Sequence, residues 1–456
     1  MLASSCNAKT SLMADPTSQP TTSPPLNVLI SGGGIAGFVL AFWLLKLNTS
    51  SHKRVHITVI ERAPSIRLTG ASVDIRGSAV DIIRAMGLEE QIRENVTHEA
   101  GIEFVDGDGK TVASFGATGS TEVQSFTSEF EIFRGELCGI FYEKVKGSED
   151  VRCVFGDYVR DVRQLAGDEQ GDGAKVEVTF THSEKKETYD LVVAADGLYS
   201  KIRDVMLKDT KGEEAVKACF YPLNVFCSYF TFKPDLLQGS LFAKWSNPTD
   251  GRVTFIRPDP AGNTRGNLIV VTDGSPDVLA QHRDAMSKGN KAYKELMDEV
   301  FADAGWLAPE VLRGMNSSED YYCTEVAQIR TDTLQHGRIV LLGDAAYCPS
   351  PLTGYGTSLA IIGAYVLAGE ILQSQGDVES ALARYQELML PFVKKVQYLP
   401  LSPQYLNPRT WWGLSIMRNV MRFVTWTRLD KLMLMLAALP SLSRDKFPMP
   451  EYQWPE

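Results

Sequence analysis

A glycine cluster near the N-terminus constrains the fold of this chain more than any other feature. The sequence GGGIAG, residues Gly32–Gly37, matches the pattern GxGxxG. It lies between a short apolar run at Asn27–Ser31 and an apolar stretch of helical length at Ile35–Leu47, and a second apolar run follows at Val55–Ile60. Strand, glycine turn, helix and strand in this order predict the βαβ unit of a parallel sheet, and therefore an α/β fold.

The glycine turn is also a predicted dinucleotide site. Small residues allow backbone N–H groups and the helix N-terminus to approach a pyrophosphate. Glu61 follows the second apolar run about 24 residues after Gly37, where a carboxylate can accept hydrogen bonds from ribose hydroxyls. A chance glycine loop is the alternative. The candidate binding residues of this unit are Gly32, Gly34, Ile35, Ala36, Gly37, Glu61 and Arg62.

Two further motifs place polar residues where a buried strand ends. The first reads DLVVAADGLYSKIR at Asp190–Arg203, where the strand ends in Asp196 and Gly197 and Arg203 follows on a helix. An ordinary strand–turn–helix junction is the alternative for this segment.

The second of these motifs reads GRIVLLGDAAYCPSPLTGYG at Gly337–Gly356. Asp344 ends the strand, and a loop rich in proline and glycine leads to a helix that starts near Gly356 and Thr357. A carboxylate and a helix N-terminus placed together can bind a hydroxylated, anionic ligand. An unremarkable turn is again the alternative.

The pattern changes in the middle of the chain. From about Ala218 to Thr272, alternating runs rich in aromatic residues predict an inserted, mostly antiparallel sheet. On its first strand, Phe226, Phe230 and Phe232 point to one face and Tyr229 to the other. The predicted domains are a flexible tail at 1–26, a discontinuous Rossmann-like nucleotide domain at 27–205 and 320–395, an inserted domain at 206–319 and a C-terminal helical cap at 396–456.

Composition excludes several partners. A formal net charge of -10 and no basic run argue against nucleic acid. The seven scattered cysteines form no CxxC pair, so we expect no metal site and a reducing, cytoplasmic location. Two uncharged stretches, Leu26–Leu45 and Ala345–Gly369, contain turn glycines that favour buried strand–loop–helix units, so no stable membrane insertion is expected.

The three motifs, in this order, resemble the group A FAD-dependent monooxygenases with the para-hydroxybenzoate hydroxylase fold, over roughly Asn27 to Met389. The segment GDAAYCPSPLTGYGTSLAIIGAYVLAGE is most similar to the branch that contains tetracycline-inactivating and natural-product monooxygenases. The resemblance implies that the glycine turn binds the FAD pyrophosphate. It also implies that Asp196 and Gly197 serve FAD and the passing NAD(P)H, that Asp344 holds the ribityl chain, and that Gly356 and Thr357 face the flavin.

The same resemblance assigns two more residues and marks three departures. Arg134, in FRGEL, matches an arginine near the FAD phosphates, and Ala71, after Gly70, matches the segment that passes the flavin. The departures are Tyr347, Ser358 and Gly363, where many relatives have histidine, asparagine and aspartate. These departures put a direct transfer of substrate from relatives in doubt.

The activity that the resemblance implies is oxygenation of a small molecule. NAD(P)H would reduce FAD, and O2 would then form a C4a-hydroperoxyflavin. The substrate that is hydroxylated or epoxidised would be a bulky, electron-rich aromatic or polyketide-like natural product. Tyr229 and Arg203 are the catalytic candidates, with no general base assignable and the oligomeric state open. The alternatives are a flavoprotein for rearrangement or cyclisation, or a non-catalytic FAD protein that sequesters a hydrophobic ligand.

Overall fold

The structure is a computed structural model that describes residues 25–49, 54–67, 70–116, 129–167, 174–375, 377–429 and 446–455. Nearly all of the predicted N-terminal tail lies outside the described residues. The strands are β1 Leu26–Ser31, β2 Val55–Glu61, β3 Ser72–Asp74, β4 Gly101–Val105, β5 Thr111–Gly116, β6 Glu131–Phe133, β7 Val151–Phe155, β8 Val159–Leu165, β9 Lys175–Phe180, β10 Lys186–Tyr189, β11 Leu191–Ala194, β12 Phe220–Phe232, β13 Phe242–Ser246, β14 Arg252–Pro258, β15 Thr264–Val271, β16 Tyr322–Ile329, β17 Gln335–His336 and β18 Ile339–Leu341.

Helices connect and cover these strands. They are α1 Ile35–Lys46, α2 Ser78–Ala85, α3 Glu89–Arg93, α4 Arg134–Val145, α5 Lys201–Lys211, α6 Glu213–Cys219, α7 Pro276–Ser287, α8 Asn290–Val300, α9 Ala308–Ser317, α10 Asp344–Tyr347, α11 Gly356–Gln373, α12 Val378–Val396, α13 Pro403–Leu406 and α14 Trp411–Thr427, with short 3-10 turns at Leu47–Thr49 and Pro351–Thr353.

The predicted parallel sheet is present and has six strands. Its order is β17-β18-β11-β1-β2-β7, and every pair except β17 with β18 is parallel. β1 and β2 are the two strands predicted from the glycine motif, and α1 crosses between them. α1 and α11 are apolar on nearly all sides because both pack inside the main core of this domain. The Rossmann-like α/β fold is confirmed.

The inserted sheet has seven strands in the order β16-β12-β15-β14-β13-β4-β5. Its neighbouring strands are antiparallel, except that β13 and β4 are parallel. Phe226, Phe230 and Phe232 pack in one core with residues of α7, α8 and α9. Tyr229 lies in a different cluster on the opposite face, as the alternation predicted.

Three strands of this sheet come from outside the range 206–319 predicted for the inserted domain. β4 and β5 precede that range and β16 follows it. The pairing of β4 with β13 joins residues far apart in sequence, for instance Phe104 with Trp245. Local periodicity carries no information about such a partner, so the sheet is larger than its contiguous signal.

α11 is the one described helix that is long and apolar enough to cross a bilayer, and 78% of it is buried inside the fold.

Gly363 in α11 connects two of the departures from the family pattern, Gly363 itself and Tyr347. A Cβ there would lie 1.8 Å from Tyr347 Oη. That hydroxyl pairs with Tyr385 Oη at 3.1 Å, and the Tyr385 hydroxyl donates to the Leu341 carbonyl at 3.1 Å. The Tyr347 side chain therefore occupies the space that a side chain at 363 would need.

Gly363→Ala should destabilise the protein by about 1–3 kcal/mol through overpacking, and Tyr347→Phe by about 1 kcal/mol through a lost hydrogen bond. The double variant should lose less than the sum, because removing the hydroxyl makes room for the new methyl group. Urea unfolding of the four proteins measures this coupling. Additive losses would contradict the pairing of the two residues.

Candidate active site

The glycine turn between β1 and α1 is closely packed against the end of β11. Gly32 has φ +120, and a Cβ on it would lie 2.2 Å from the Ala195 carbonyl oxygen. A Cβ on Gly37 would lie 2.1 Å from the Gly32 carbonyl oxygen. Only glycine fits both positions, because the backbones themselves are in contact.

Gly34 is different, because a Cβ there would meet nothing within 4 Å. It is the N-cap of α1, and no side chain among the described residues caps that helix. The backbone N–H groups of Ile35 and Ala36, the first of α1, therefore border open space at the positive end of the helix dipole. This arrangement fits a pyrophosphate, since a helix N-terminus free of side-chain caps is an anion site.

Glu61 lies at the end of β2 and is buried. Its Oε2 accepts from the Gly33 amide at 3.0 Å, and its Oε1 accepts from the Ala63 amide at 2.9 Å. These two bonds fix the carboxylate beside the glycine turn and leave lone pairs for ribose hydroxyls. The neighbouring Arg62 is exposed.

The Asp196–Gly197 turn follows β11 on the other side of the glycine turn. Asp196 Oδ2 accepts from the Lys201 amide at 3.2 Å, while Oδ1 is buried without a hydrogen-bond partner among the described residues. Burial raises the pKa of the Asp196 carboxyl. A buried, unpaired acceptor at a predicted dinucleotide site is suited to a ligand hydroxyl or amide.

Arg203 connects two of the motifs. It is buried on α5, and its Nη1 donates to the carbonyl of Leu198 at 2.9 Å and to that of Ala345 at 3.4 Å. Its Nη2 donates to Asp204 Oδ1 at 3.0 Å. These bonds hold the Asp196–Gly197 turn against the third motif, which contains Asp344. The geometry therefore favours a positioning role for Arg203 over direct contact with a substrate.

The third motif completes the predicted dinucleotide site. We call this site the cradle; it consists of the Gly32–Gly37 turn, the Asp196–Gly197 turn, and Asp344 with the start of α11. Asp344 begins α10 and is half-buried, and a Cβ on Gly356 would lie 3.9 Å from Asp344 Oδ1. α11 begins at Gly356 and Thr357, and no side chain in the described part of the chain caps it, so its N-terminal amides lie next to Asp344 without a side-chain partner. A Cβ on Gly343 would lie 3.0 Å from the Ala36 side chain, which places this motif directly against α1.

The inserted sheet meets the cradle at Ala71. The Arg134 amide donates to the Ala71 carbonyl at 3.0 Å, and the exposed Arg134 side chain begins α4. Burial raises the pKa of Tyr322 to about 12, and the nearby Arg134 and backbone of Ala71 oppose this rise. Tyr322 stacks on Tyr229 with ring centroids 4.8 Å apart and planes at 11°. The predicted substrate residue Tyr229 is thus one ring away from the segment that passes the flavin in relatives.

A group of charged residues beside Ala71 was missed by sequence reasoning. We call Asp74, Glu99, Glu131 and Arg257 the carboxylate cluster. Arg257 on β14 donates from Nε to Glu99 Oε2 at 2.9 Å and also bonds Ser72 Oγ and Glu131 Oε1. Asp74 Oδ1 and Glu131 Oε2 are buried without a hydrogen-bond partner in the described part of the chain. No local pattern indicates this cluster, because β3, β6, β14 and the residues before β4 each supply one member.

Burial dominates the electrostatics of this cluster. It raises the pKa of Asp74 to about 6 and that of Glu99 to about 7, although the attraction of Arg76 for Asp74 and of Arg257 for Glu99 opposes the shift. Burial raises an acidic pKa because it penalises the charged form. The carboxylate cluster can therefore hold a proton near neutral pH.

The cradle of three convergent motifs and the aromatic sheet facing it define a nucleotide-binding oxidoreductase of two interlocked parts. The FAD binding domain family matches residues 25–398. The chain belongs to this family and is an FAD-dependent monooxygenase, as the names of its relatives agree. The cofactor prediction of FAD is thereby confirmed.

Three similar proteins illustrate the membership. Monooxygenase CTB7 of Cercospora beticola is 34% identical over 412 residues, covering 89% of this chain and 94% of the relative. FAD-dependent monooxygenase asL4 of Sarocladium schorii is 32% identical over 434 residues, with the same two coverages of 89% and 94%. The crystal structure of tetracycline destructase Tet(55) superposes with a TM-score of 0.69 at 26% identity, covering 94% of this chain and 99% of that protein.

Gly34→Ala should separate cofactor binding from folding. Its Cβ has room in the protein but enters the space assigned to the pyrophosphate, so FAD affinity should fall at least about tenfold. The apoprotein should unfold within about 0.5 kcal/mol of wild type. Flavin fluorescence titration and urea unfolding measure the two quantities.

Gly107→Ala is the matched control, since Gly107 is exposed and its added Cβ also meets nothing within 4 Å. It should leave both quantities unchanged. If Gly34→Ala bound FAD as wild type does, the pyrophosphate would not lie at the start of α1.

The carboxylate cluster should make stability depend on pH. Since the folded pKa values of Asp74 and Glu99 exceed those of the unfolded chain, the folded state binds more protons between about pH 4 and pH 7, and stability falls as pH rises through that window. Glu99→Gln removes the Glu99 share. Relative to wild type, this variant should therefore gain stability from about pH 5 to pH 8. A difference in unfolding free energy that stays constant with pH would contradict the raised pKa.

Proposed function

We propose that this monooxygenase uses NAD(P)H and O2 to hydroxylate or epoxidise a bulky, electron-rich aromatic or polyketide-like small molecule. The substrate would lie between the FAD cradle and the seven-stranded sheet. The observation that carries the proposal is the Tyr229–Tyr322 stack, which lies beside Arg134 and Ala71 at the edge of the cradle. Stacked rings of this kind offer a flat aromatic wall to a flat substrate.

FAD, when bound, would supply the redox chemistry by accepting a hydride from the nicotinamide and activating O2. The residues of this chain would hold it in place. The N-terminus of α1 would bind the pyrophosphate, Glu61 the ribose and Asp344 the ribityl hydroxyls. The uncapped N-terminus of α11 at Gly356 and Thr357 would stabilise negative charge on the flavin edge.

The tyrosines would orient the substrate as hydrogen-bond donors. Burial raises the pKa of Tyr229 well above its ordinary value, so its hydroxyl stays neutral and keeps its proton. Tyr229 is half-buried, so the ring remains partly accessible from the side of the cradle. The apolar neighbours Val225, Val271 and Val326 on the same face exclude water from this region.

The carboxylate cluster would handle the substrate's proton. The unpaired oxygens of Asp74 and Glu131 can accept from a substrate hydroxyl, and an ionised phenol is the more electron-rich form. Arg257 would stabilise the negative charge that results. Glu99, whose carboxyl titrates near neutral pH, would store the proton.

The similarity to a tetracycline destructase supports a polycyclic substrate. A reducing, cytoplasmic location stays a prediction; the six cysteines of the described chain are all free thiols.

Tyr229→Phe tests the proposed substrate face. It should raise KM for an accepted polycyclic phenol about tenfold, the effect of one lost hydrogen bond, while FAD content stays that of wild type. Tyr321→Phe is the matched control, because Tyr321 bonds Ser228 Oγ at 2.9 Å in the core on the opposite face of the sheet. Equal effects of the two variants would contradict the assignment.

The reaction itself is tested by supplying isotope-labelled O2 with NADPH and a panel of polycyclic phenols. One labelled oxygen atom in the product, with substrate-accelerated NADPH oxidation, is the expected result. Product without label would favour rearrangement or cyclisation. Bound FAD that no substrate or nicotinamide affects would favour the sequestering protein.

A further inference from the structure

Helix α14 exposes an apolar stripe along its whole length. Its members occupy positions i, i+4, i+8, i+11 and i+14, which lie on one face of a helix, and each is more than half exposed. We call Trp412, Ile416, Val420, Phe423 and Trp426 the α14 stripe. Among the described residues, ten of the fourteen exposed large hydrophobic side chains lie between 398 and 429, so this exposure is concentrated in one region. Such concentration marks an interaction surface.

The opposite face of α14 is already occupied. Leu414 is buried, and Met421 packs against the cluster that contains Phe104 of the seven-stranded sheet. Arg418 donates from Nη2 to the Asn247 carbonyl at 3.0 Å. The helix therefore has a fixed orientation on the protein, with the α14 stripe directed outward. Its capping role does not account for the exposed face.

The charged residues of the segment that contains α14 have one sign. Residues 388–429 contain six lysines and arginines and no aspartate or glutamate, in a chain whose net charge is -10. The remaining residues therefore carry -16, which is -10 minus 6. On α14 itself Arg422 is exposed, and exposed Arg428 follows directly at the C-terminal end. The stripe is thus apolar, flanked by cations and tryptophan-rich at both ends.

We propose that the α14 stripe docks this enzyme on an anionic lipid bilayer surface, with the helix lying in the plane of the interface. Tryptophan prefers the headgroup level of a bilayer, because its ring is apolar and its N–H is polar. Arginines beside the stripe would pair with lipid phosphates. Because its inner face is held by the protein, α14 adsorbs and does not span.

The charge pattern favours a bilayer over a second copy of the chain. A two-fold contact through the stripe would bring the same patch of each subunit together, and with it Arg422 and Arg428 of both copies. That arrangement places like charges in an apolar contact without compensation. Anionic lipid headgroups supply the compensation directly.

Vesicle sedimentation of the FAD-loaded enzyme tests the proposal. Wild type should bind vesicles of phosphatidylcholine with phosphatidylserine, and should bind pure phosphatidylcholine about tenfold more weakly. A double variant, Trp412→Ser with Trp426→Ser, should lose at least about tenfold in binding to the mixed vesicles. Arg422→Gln with Arg428→Gln should weaken binding and reduce its dependence on salt. Leu241→Ser is the control, since Leu241 is similarly exposed but lies outside the stripe.

Retention of the flavin spectrum shows that each variant is folded. The proposal is overturned if folded wild type does not bind the mixed vesicles, as would happen if residues 430–445 of the chain itself covered the stripe. It is equally overturned if Leu241→Ser lowers binding as much as the tryptophan variant does. A dimer that the tryptophan variant dissociates, with no vesicle binding by wild type, would assign the stripe to self-association.

Discussion

The direct backbone contact between Gly32 and Ala195 is the constraint on which the rest of the site depends. It brings the ends of β1 and β11 so close that no side chain fits between them. The same closeness recurs where Gly343 meets Ala36. Three motifs that are separated by more than a hundred residues in sequence thereby share one edge of the parallel sheet. At that edge lie the N-termini of α1 and α11, neither of which has a side-chain cap among the described residues, and both would face the bound FAD.

The second half of the site is set by strand alternation. β12 sends its phenylalanines into the core under α7, α8 and α9, and this leaves Tyr229 on the face toward the cradle. Tyr322 on the neighbouring strand β16 stacks on it and reaches Ala71. The carboxylate cluster lies beside the same segment, because Arg257 of the inserted sheet bonds Ser72 on β3 and Glu131 on β6. Buried polar groups of this kind have few alternative arrangements, which would fix the position of a bound substrate relative to the cofactor.

Local sequence patterns predicted individual strands and helices, but they could not predict pairings between strands that are far apart in the sequence. The predicted apolar runs Asn27–Ser31 and Val55–Ile60 correspond to β1 Leu26–Ser31 and β2 Val55–Glu61, because each has the continuous apolar pattern of a buried strand. The glycine motif also predicted that Glu61 lies close to the glycine turn, and its Oε2 accepts from the Gly33 amide, because this spacing is a property of the βαβ unit. By contrast, β4 and β5 joined the inserted sheet, and Glu99 reached Arg257 across 158 positions of sequence. Neither contact has a periodicity that a single sequence could display.

The central claim is that one cradle holds FAD with its reactive ring toward the Tyr229–Tyr322 pair. A crystal structure of the enzyme with FAD tests it most directly. We expect the pyrophosphate at the first amides of α1, the ribityl chain within hydrogen-bond distance of Asp344, and the flavin ring passing Ala71 toward Tyr322. A flavin ring bound on another face of the parallel sheet, or one separated from the tyrosine pair by the carboxylate cluster, would contradict the account.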